Sequence, residues 1–460
     1  MIKQAKTKYG IYESVPSEEG FALFRGIRYG KAERFCPPEE IEPFEGVKVC
    51  DTYGGVSPQP PFNMNDETGR PKIIMPGYPY PPEMSEDCLY LNITTPADSP
   101  EDRLPVMFYI HGGGAQTWYG ACYEYRGDGL ASHGAVVVTI NYRLNVFGFM
   151  THPELAAENE HHVSGNYGIM DQLLALRWVR ENIAGFGGDP DRILIFGQSS
   201  GAQSVQMLLS MPLARGLFRR AAMHSGGGRY GFPEVKRETQ EALGVEFVEF
   251  CGLNSVQELK TVPFEQLEAY SVRFMRERRR VFQIYADGWL IPETPEKAAM
   301  SGRFPNTEYI LGSTIDEGYS DKPGILSGFA PTMRVFADIL REKTGKAPYV
   351  YCFNRPQPGD DIGTPHSCDN RYVFCSLRES WRPYTEDDFA LSEQMMRYWT
   401  NFAATGDPNG EDLPLWEPFD DRRLSLELRA DGPRMADLTN EYVVSREEEI
   451  REKISHEITA

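Results

Sequence analysis

The sequence predicts an α/β fold, a mainly parallel sheet wound with helices. Three observations carry this reading. Apolar runs at residues 104–110, 135–141 and 193–196, with a further strand pattern at 220–225, have the length of buried strands. Between the second and third runs, residues 166–182 place Ile169, Leu173, Leu176 and Val179 three or four apart, giving one apolar helical face. Strand and helix patterns therefore alternate from 104 to 225, the order a parallel sheet requires. The chain shows no repeats, low-complexity tracts or interdomain linker, so residues 1–460 read as one domain. Cap-like insertions are expected near 58–84, 230–285 and 319–348.

Residues 10–50 read as short strands interrupted by Pro16 and Gly20. Residues 58–82 carry eight prolines, with Met64, Met75, Tyr78 and Tyr80 among them. That density suits neither a helix nor a central strand, and a long loop of this kind often roofs a site. A strand begins within 85–93. The run at 104–110 ends directly in His111-Gly112-Gly113-Gly114. Consecutive glycines after a strand let several backbone N–H groups point at one spot, which is how a site holds an oxyanion without side chains.

Residues 193–196 lead into Gly197-Gln198-Ser199-Ser200-Gly201 and then a helix-compatible segment. This is G-x-S-x-G in the strand–turn–helix setting that lifts a serine hydroxyl clear of a sheet. The glycines are needed because side chains there would strike the neighbouring strand or helix, and Ser199 must adopt a strained backbone. Residues 232–280 change character. Helical segments broken by Gly252 and Pro263, with charged outer faces, suggest a cap inserted between core strands. The basic run at 276–280 reads as a solvated helix face, with steering of anionic substrates as the other reading.

Residues 308–312 form another strand pattern, followed by Asp316-Glu317-Gly318. A further strand at 349–353 precedes Pro365-His366-Ser367-Cys368-Asp369. Residues 392–405 are amphipathic, carrying Met396, Tyr398, Trp399 and Phe402, and Gly406-Asp407-Pro408-Asn409 stops that helix.

Composition bounds the function. A net charge of −20 over 460 residues argues against nucleic-acid or anionic-membrane partners. No run of eighteen apolar residues is present, so no membrane span is expected. Met1–Lys8 lacks an apolar stretch, so no signal peptide is read and a cytoplasmic location is expected. The eight cysteines are scattered without C-x-x-C, and the eight histidines show no H-E-x-x-H, so neither a metal nor a disulfide scaffold is expected.

In order along nearly the whole chain stand F-R-G-I-R-Y-G with Arg34-Phe35, S-E-D-C-L-Y-L-N, H-G-G-G, N-Y-R and G-N-Y-G-I-M-D-Q-L-L-A-L-R-W-V-R-E-N-I. Then come F-G-G-D-P, F-G-Q-S-S-G-A, H-S-G, D-E-G and W-T-N-F-A-A-T-G-D-P-N. Together these resemble the type-B carboxylesterase family of α/β-hydrolases, which includes the cholinesterases. The resemblance implies an α/β-hydrolase fold with a helical cap and a long loop over the site. It implies a triad of Ser199, Glu317 and His366, with Asp316 as competitor for the acid, and no cofactor. His366 would take the Ser199 proton and return it to the leaving alcohol, while Glu317 would fix the imidazole tautomer. The oxyanion hole would be the N–H groups of Gly113, Gly114 and Ser200. Ser225 would orient Glu317. Arg34 with Glu86, and Arg143 with Asp171, match structural ion pairs of the family. The expected partner is a small-molecule ester.

Several positions depart from the family pattern. Gln198 replaces a buried acid, and Ser200 an alanine. Ala115 stands where an aromatic is usual, which should open the acyl pocket beside Trp118 and Tyr119. Ser57 stands where many secreted members have the cysteine that pairs with the counterpart of Cys88, so that disulfide is expected to be absent. Glu317 and His366 stand only 49 positions apart, implying a shortened cap and room for bulky esters. Two other classes of function stay open at this stage. One is a non-catalytic binding module on the same fold, and the other is a relative that cleaves amides, transfers acyl groups or acylates once and turns over slowly.

Overall fold

The computed structural model describes residues 1–17, 19–60, 83–228, 235–317 and 328–459. Most of the proline-rich loop, with Met64, Met75, Tyr78 and Tyr80, lies outside the described residues, as do Gly318 and the start of the 319–348 insertion.

The strands in chain order are β1 (Gln4–Lys6), β2 (Ile11–Glu13), β3 (Val15–Pro16), β4 (Ala22–Arg28), β5 (Val47–Val49), β6 (Tyr90–Thr95) and β7 (Leu104–Ile110). They continue with β8 (Val136–Ile140), β9 (Gly188–Gln198), β10 (Arg220–His224), β11 (Tyr309–Thr314), β12 (Tyr349–Phe353), β13 (Leu424–Leu428) and β14 (Arg434–Asp437). A three-stranded sheet has the order β1-β2-β5. The main sheet has eleven strands in the order β14-β13-β12-β11-β10-β9-β7-β8-β6-β4-β3. From β8 through β13 all neighbours are parallel, while β3, β4, β6 and β14 pair antiparallel at the two flanks.

The apolar runs the sequence marked lie in the central strands, where both faces are buried, and β9 begins earlier than its apolar segment, at Gly188. Val136–Ile140 is buried at every position, and so is Leu104–Ile110 after its first residue. Helix Tyr167–Asn182 crosses from β8 to β9 and buries Ile169, Leu173, Leu176 and Val179, the predicted face. Helix Glu386–Thr405 covers the other side. It starts six residues earlier than its apolar periodicity suggests, because Thr385 and Asp388 form a capping box.

Between β10 and β11 lie the helices Arg237–Phe250, Val256–Thr261 and Phe264–Arg278. Gly252 and Pro263 fall at the two breaks, as the sequence suggested. Phe274 packs edge-on against Phe247 and Phe250, with ring centroids 5.2 Å apart in each pair. Arg34 ties this layer to the sheet. Its guanidinium pairs with Glu86 and donates to the carbonyls of Leu259, Lys260 and Val262 at the end of the short middle helix. Of the basic run, Arg278 and Arg280 are both paired with Glu246, which supports a structural helix face over anion steering.

Residues 330–344 depart from the cap-like reading. They form the helix Ala330–Thr344 that crosses between β11 and β12, and ten of its residues are buried. Its Arg334 is fully buried and held by Glu447 and Thr439 from the C-terminal region. Arg143 and Asp171 form a buried two-pronged pair at 2.8 and 2.9 Å.

Candidate active site

The order of the central strands creates the site. The chain runs from β7 to its neighbour β8, then crosses back to β9 on the other side of β7. At such a reversal, connections leave in opposite directions and open a crevice at the carboxyl ends of the strands. Ile110 of β7 pairs with Gly197 of β9, so the glycine loop after β7 and the serine turn after β9 emerge side by side.

Ser199 has φ 57° and ψ −124°, the strained conformation expected for this turn. Its N–H donates to the His224 carbonyl at 2.9 Å, which pins the turn to the end of β10. A Cβ on Gly197 would come within 2.6 Å of the Gly201 backbone, and one on Gly201 would overlap the Ile110 carbonyl oxygen. Side chains at either position are therefore excluded by close packing, as the motif implied.

Glu317 and His366 follow two neighbouring parallel strands, β11 and β12. An isolated parallel bridge joins Asp316 to Pro365. The Asp316 carboxylate also accepts the Thr364 N–H at 2.8 Å. With the two loops clasped one residue earlier, Glu317 and His366 are set next to each other. His366 Nδ1 lies 2.5 Å from Glu317 Oε2. The other Glu317 oxygen accepts the Thr314 N–H at 3.1 Å. The Glu317 side chain is 1 % exposed and that of His366 is 36 % exposed, so the carboxylate is shut off from water while the imidazole is reachable. Of the two adjacent acids, Glu317 takes the histidine and Asp316 holds the loops together.

Burial pushes the His366 pKa down, but the hydrogen bond and charge of Glu317, with the charge of Asp369, leave it above the ordinary histidine value. Asp369 is fully buried, accepts the Tyr351 hydroxyl at 2.7 Å, and is pushed up to about 6 by burial and by Glu317. Ser199 Oγ makes no hydrogen bond to His366 among the described residues. The side-chain amide of Gln198 stands there instead, with Nε2 3.0 Å from His366 Nε2.

The glycine loop is held from both sides. Gly113 and Gly114 have φ values of 98° and 66°, and no acceptor for their N–H groups or for that of Ser200 is present among the described residues. The Ser200 hydroxyl, buried beneath the loop, accepts the Ala115 N–H at 3.0 Å. Tyr142 donates its hydroxyl to the His111 carbonyl at 2.9 Å and stacks on the His111 ring. Burial lowers the His111 pKa to about 4, so this histidine is neutral packing beneath the loop.

Trp118 has φ 90°. The Gln59 amide clasps its backbone, accepting the N–H at 2.7 Å and donating to the C=O at 3.1 Å. Ala115 and Tyr119 are buried at 6 % and 5 % exposure. The Ser57 hydroxyl accepts the Leu144 N–H at 3.0 Å, and Cys88 is a buried free thiol. No group of three or more His, Cys, Asp or Glu able to hold a metal occurs among the described residues.

Ser225 requires a correction. It sits behind the site with φ 50°, but its hydroxyl has no hydrogen-bond partner among the described residues and does not reach Glu317. The Ser225 N–H continues the β10–β11 ladder by donating to Gly312 at 2.7 Å, which fixes its backbone, while Glu317 is held by His366 and Thr314. Sequence reasoning also missed Gln59, which carries no motif of its own. The hydroxyl that fixes Ala115 was visible only as a departure at Ser200.

A sequence profile of the carboxylesterase family matches residues 7–329 and 327–444. The chain belongs to the carboxylesterase family. It is 39 % identical to the para-nitrobenzyl esterase of Bacillus subtilis, over 82 % of this chain and 73 % of that protein. It is 31 % identical to carboxylesterase 1C of Rattus norvegicus, over 95 % and 91 % of the two chains. The carboxylesterase of Geobacillus stearothermophilus superposes with a TM-score of 0.81 at 29 % identity, covering 98 % of this chain and all of the other. An esterase from Clostridium hathewayi that hydrolyses aliphatic aromatic polyesters superposes at 0.82 with 26 % identity, covering 98 % of each. The protein is thus a carboxylesterase with the α/β-hydrolase fold, and the antiparallel flanks beside a parallel centre belong to that architecture. No helix among the described residues is long and apolar enough to cross a membrane.

Proposed function

We propose that this carboxylesterase cleaves its esters through an acyl-enzyme formed on Ser199, with His366 as base and Glu317 as its orienting acid. The observation that carries the reading is the 2.5 Å contact between His366 Nδ1 and Glu317 Oε2, set beside the strained turn of Ser199. With Nδ1–H committed to Glu317, the lone pair of His366 lies on Nε2, where it takes the Ser199 proton as Oγ attacks the ester carbonyl. The free N–H groups of Gly113, Gly114 and Ser200 receive the oxygen that becomes negative. Collapse expels the alcohol, which takes the proton from His366. Water, activated by the same nitrogen, then releases the acid.

The expected substrates are small to bulky carboxylic esters. Ala115 contributes no aromatic wall, and Trp118 and Tyr119 flank it as candidate pocket residues. The polyester activity of the Clostridium hathewayi esterase supports room for bulk. The continuity of the main sheet from residue 15 to residue 437 supports reading 1–460 as one domain. The eight free cysteines support a reducing, cytoplasmic location.

The test is hydrolysis of p-nitrophenyl esters of increasing acyl length by the wild type and by Ser199→Ala. Turnover that disappears in the variant supports the nucleophile, and the length optimum sizes the acyl pocket. Turnover that persists well above background overturns it.

A further inference from the structure

We infer that Gln198 is a positioning residue for the base: its amide N–H, donated to His366 Nε2, holds the imidazole in the neutral form that can accept a proton. This rests on the reading of His366 as base and Ser199 as nucleophile.

The contact fixes its own polarity. His366 has two ring nitrogens. Nδ1 faces the Glu317 carboxylate, which only accepts, so Nδ1 carries the hydrogen. In neutral imidazole Nε2 is then an acceptor, and the group 3.0 Å away must present a donor. The Gln198 amide supplies one. A glutamate in its place would have no hydrogen to give and would face the nitrogen with a charge.

Position matters as much as polarity. Gln198 is the last residue of β9 and is 3 % exposed, so water does not replace the amide freely. It precedes Ser199 directly, so the competitor for Nε2 is attached to the nucleophile itself. In the resting site the amide occupies the nitrogen, and Ser199 takes it over when substrate draws the hydroxyl forward.

The charge balance around His366 explains what the amide contributes. Glu317 bonds to it directly, Asp369 acts on it through space, and both carboxylates favour the imidazolium. Phe329, whose ring centroid lies 5.9 Å away, adds no charge. A carboxylate placed at position 198 within reach of Nε2 would favour the imidazolium further. Gln198 opposes that drift in two ways, since it carries no charge and its donor bond is available only to neutral imidazole.

The test measures kcat/KM for a p-nitrophenyl ester from about pH 4 to about pH 9 in the wild type, Gln198→Glu and Gln198→Met. The acid limb, which reports protonation of the base in the free enzyme, is expected to rise by about one unit or more in Gln198→Glu, because an opposite charge now faces the imidazolium. Gln198→Met loses the donor without adding charge and should show a smaller rise. NMR titration of His366, with its signal assigned by its loss in His366→Gln, should give the same order without turnover. An acid limb and a His366 titration that stay in place or fall in either variant overturn the inference. Failure of the underlying reading looks different: Ser199→Ala would then keep its activity, while the NMR titration would still report on the Gln198 contact. A merely structural role for Gln198 would lower melting temperature or kcat without moving either titration.

Discussion

Asp316 and Pro365 pair across two loops, and the residues that follow each of them, Glu317 and His366, meet at 2.5 Å. Two adjacent acids therefore have separate tasks. Glu317→Gln keeps the shape of the side chain but offers the imidazole an amide, which no longer fixes the tautomer. The expected loss in kcat is on the order of ten thousandfold. Asp316→Asn keeps an acceptor for Thr364 and should retain activity within about tenfold of wild type. Steady-state kinetics on one p-nitrophenyl ester compare the two, and equal losses would contradict the division of labour.

Ser200 fastens the glycine loop to the nucleophile turn. Ser200→Ala leaves its own N–H in place but removes the acceptor of the buried Ala115 N–H. An orphaned buried donor costs about 1–3 kcal/mol. Urea denaturation should show a loss in that range. Looser placement of the Gly113 and Gly114 donors should lower kcat more than it changes KM.

Gln59 holds Trp118 in a backbone conformation that a residue with a side chain adopts only under constraint. Gln59→Leu removes both bonds at once. The expected destabilisation is about 2–3 kcal/mol. The acyl-length optimum should also shift, because Trp118 flanks the glycine loop. An unchanged length profile in a folded Gln59→Leu protein would remove Trp118 from the pocket.

Acid stability has a local source in Asp388. Arg355 Nε and Nη2 donate to its two oxygens at 2.6 and 2.9 Å, and Tyr372 and Thr385 add further bonds. Burial pushes the carboxyl up, but these bonds outweigh it and hold the pKa at about 2, below the ordinary 3.8. A depressed carboxyl stabilises the fold above its unfolded pKa and loses that effect as pH falls through the folded value. The contribution at neutral pH is about 2 kcal/mol. Asp388→Asn should lower stability at pH 7 by about 3 kcal/mol, since it also strands Arg355. It should also flatten the fall in stability between about pH 4 and about pH 2, measured by denaturant titration across that range.

The centre of the sheet was legible because β7, β8 and the 193–196 part of β9 are buried on both faces and read as apolar runs. Its far edge was not. Leu424–Leu428 alternates as L-S-L-E-L over five residues, and helix Glu441–Thr459 buries Val443, Ile450 and Ile454 amid charge. Ser199, Glu317 and His366 are proposed from the short motifs that hold them, and the fold sets Glu317 against His366. The contacts that tune them cannot be read that way. Gln198 and His366 are 168 residues apart, and Ser200 and Ala115 are 85 apart, so only the folded sheet brings them together. Ser225 is the opposite case: the motif was present, but in the fold its hydroxyl does not reach the acid, which His366 and Thr314 hold instead.

The clasp between Asp316 and Pro365 separates two quantities that sequence reading tends to merge. The length of chain from acid to base is one, and their distance in space is the other. Because the loops are joined immediately before the two residues, the intervening chain transmits no error to their contact. A change in the length of the intervening segment need not alter the spacing of Glu317 and His366, because the bridge sets it. In this fold the tolerance for novelty and the precision of the chemistry lie one residue apart.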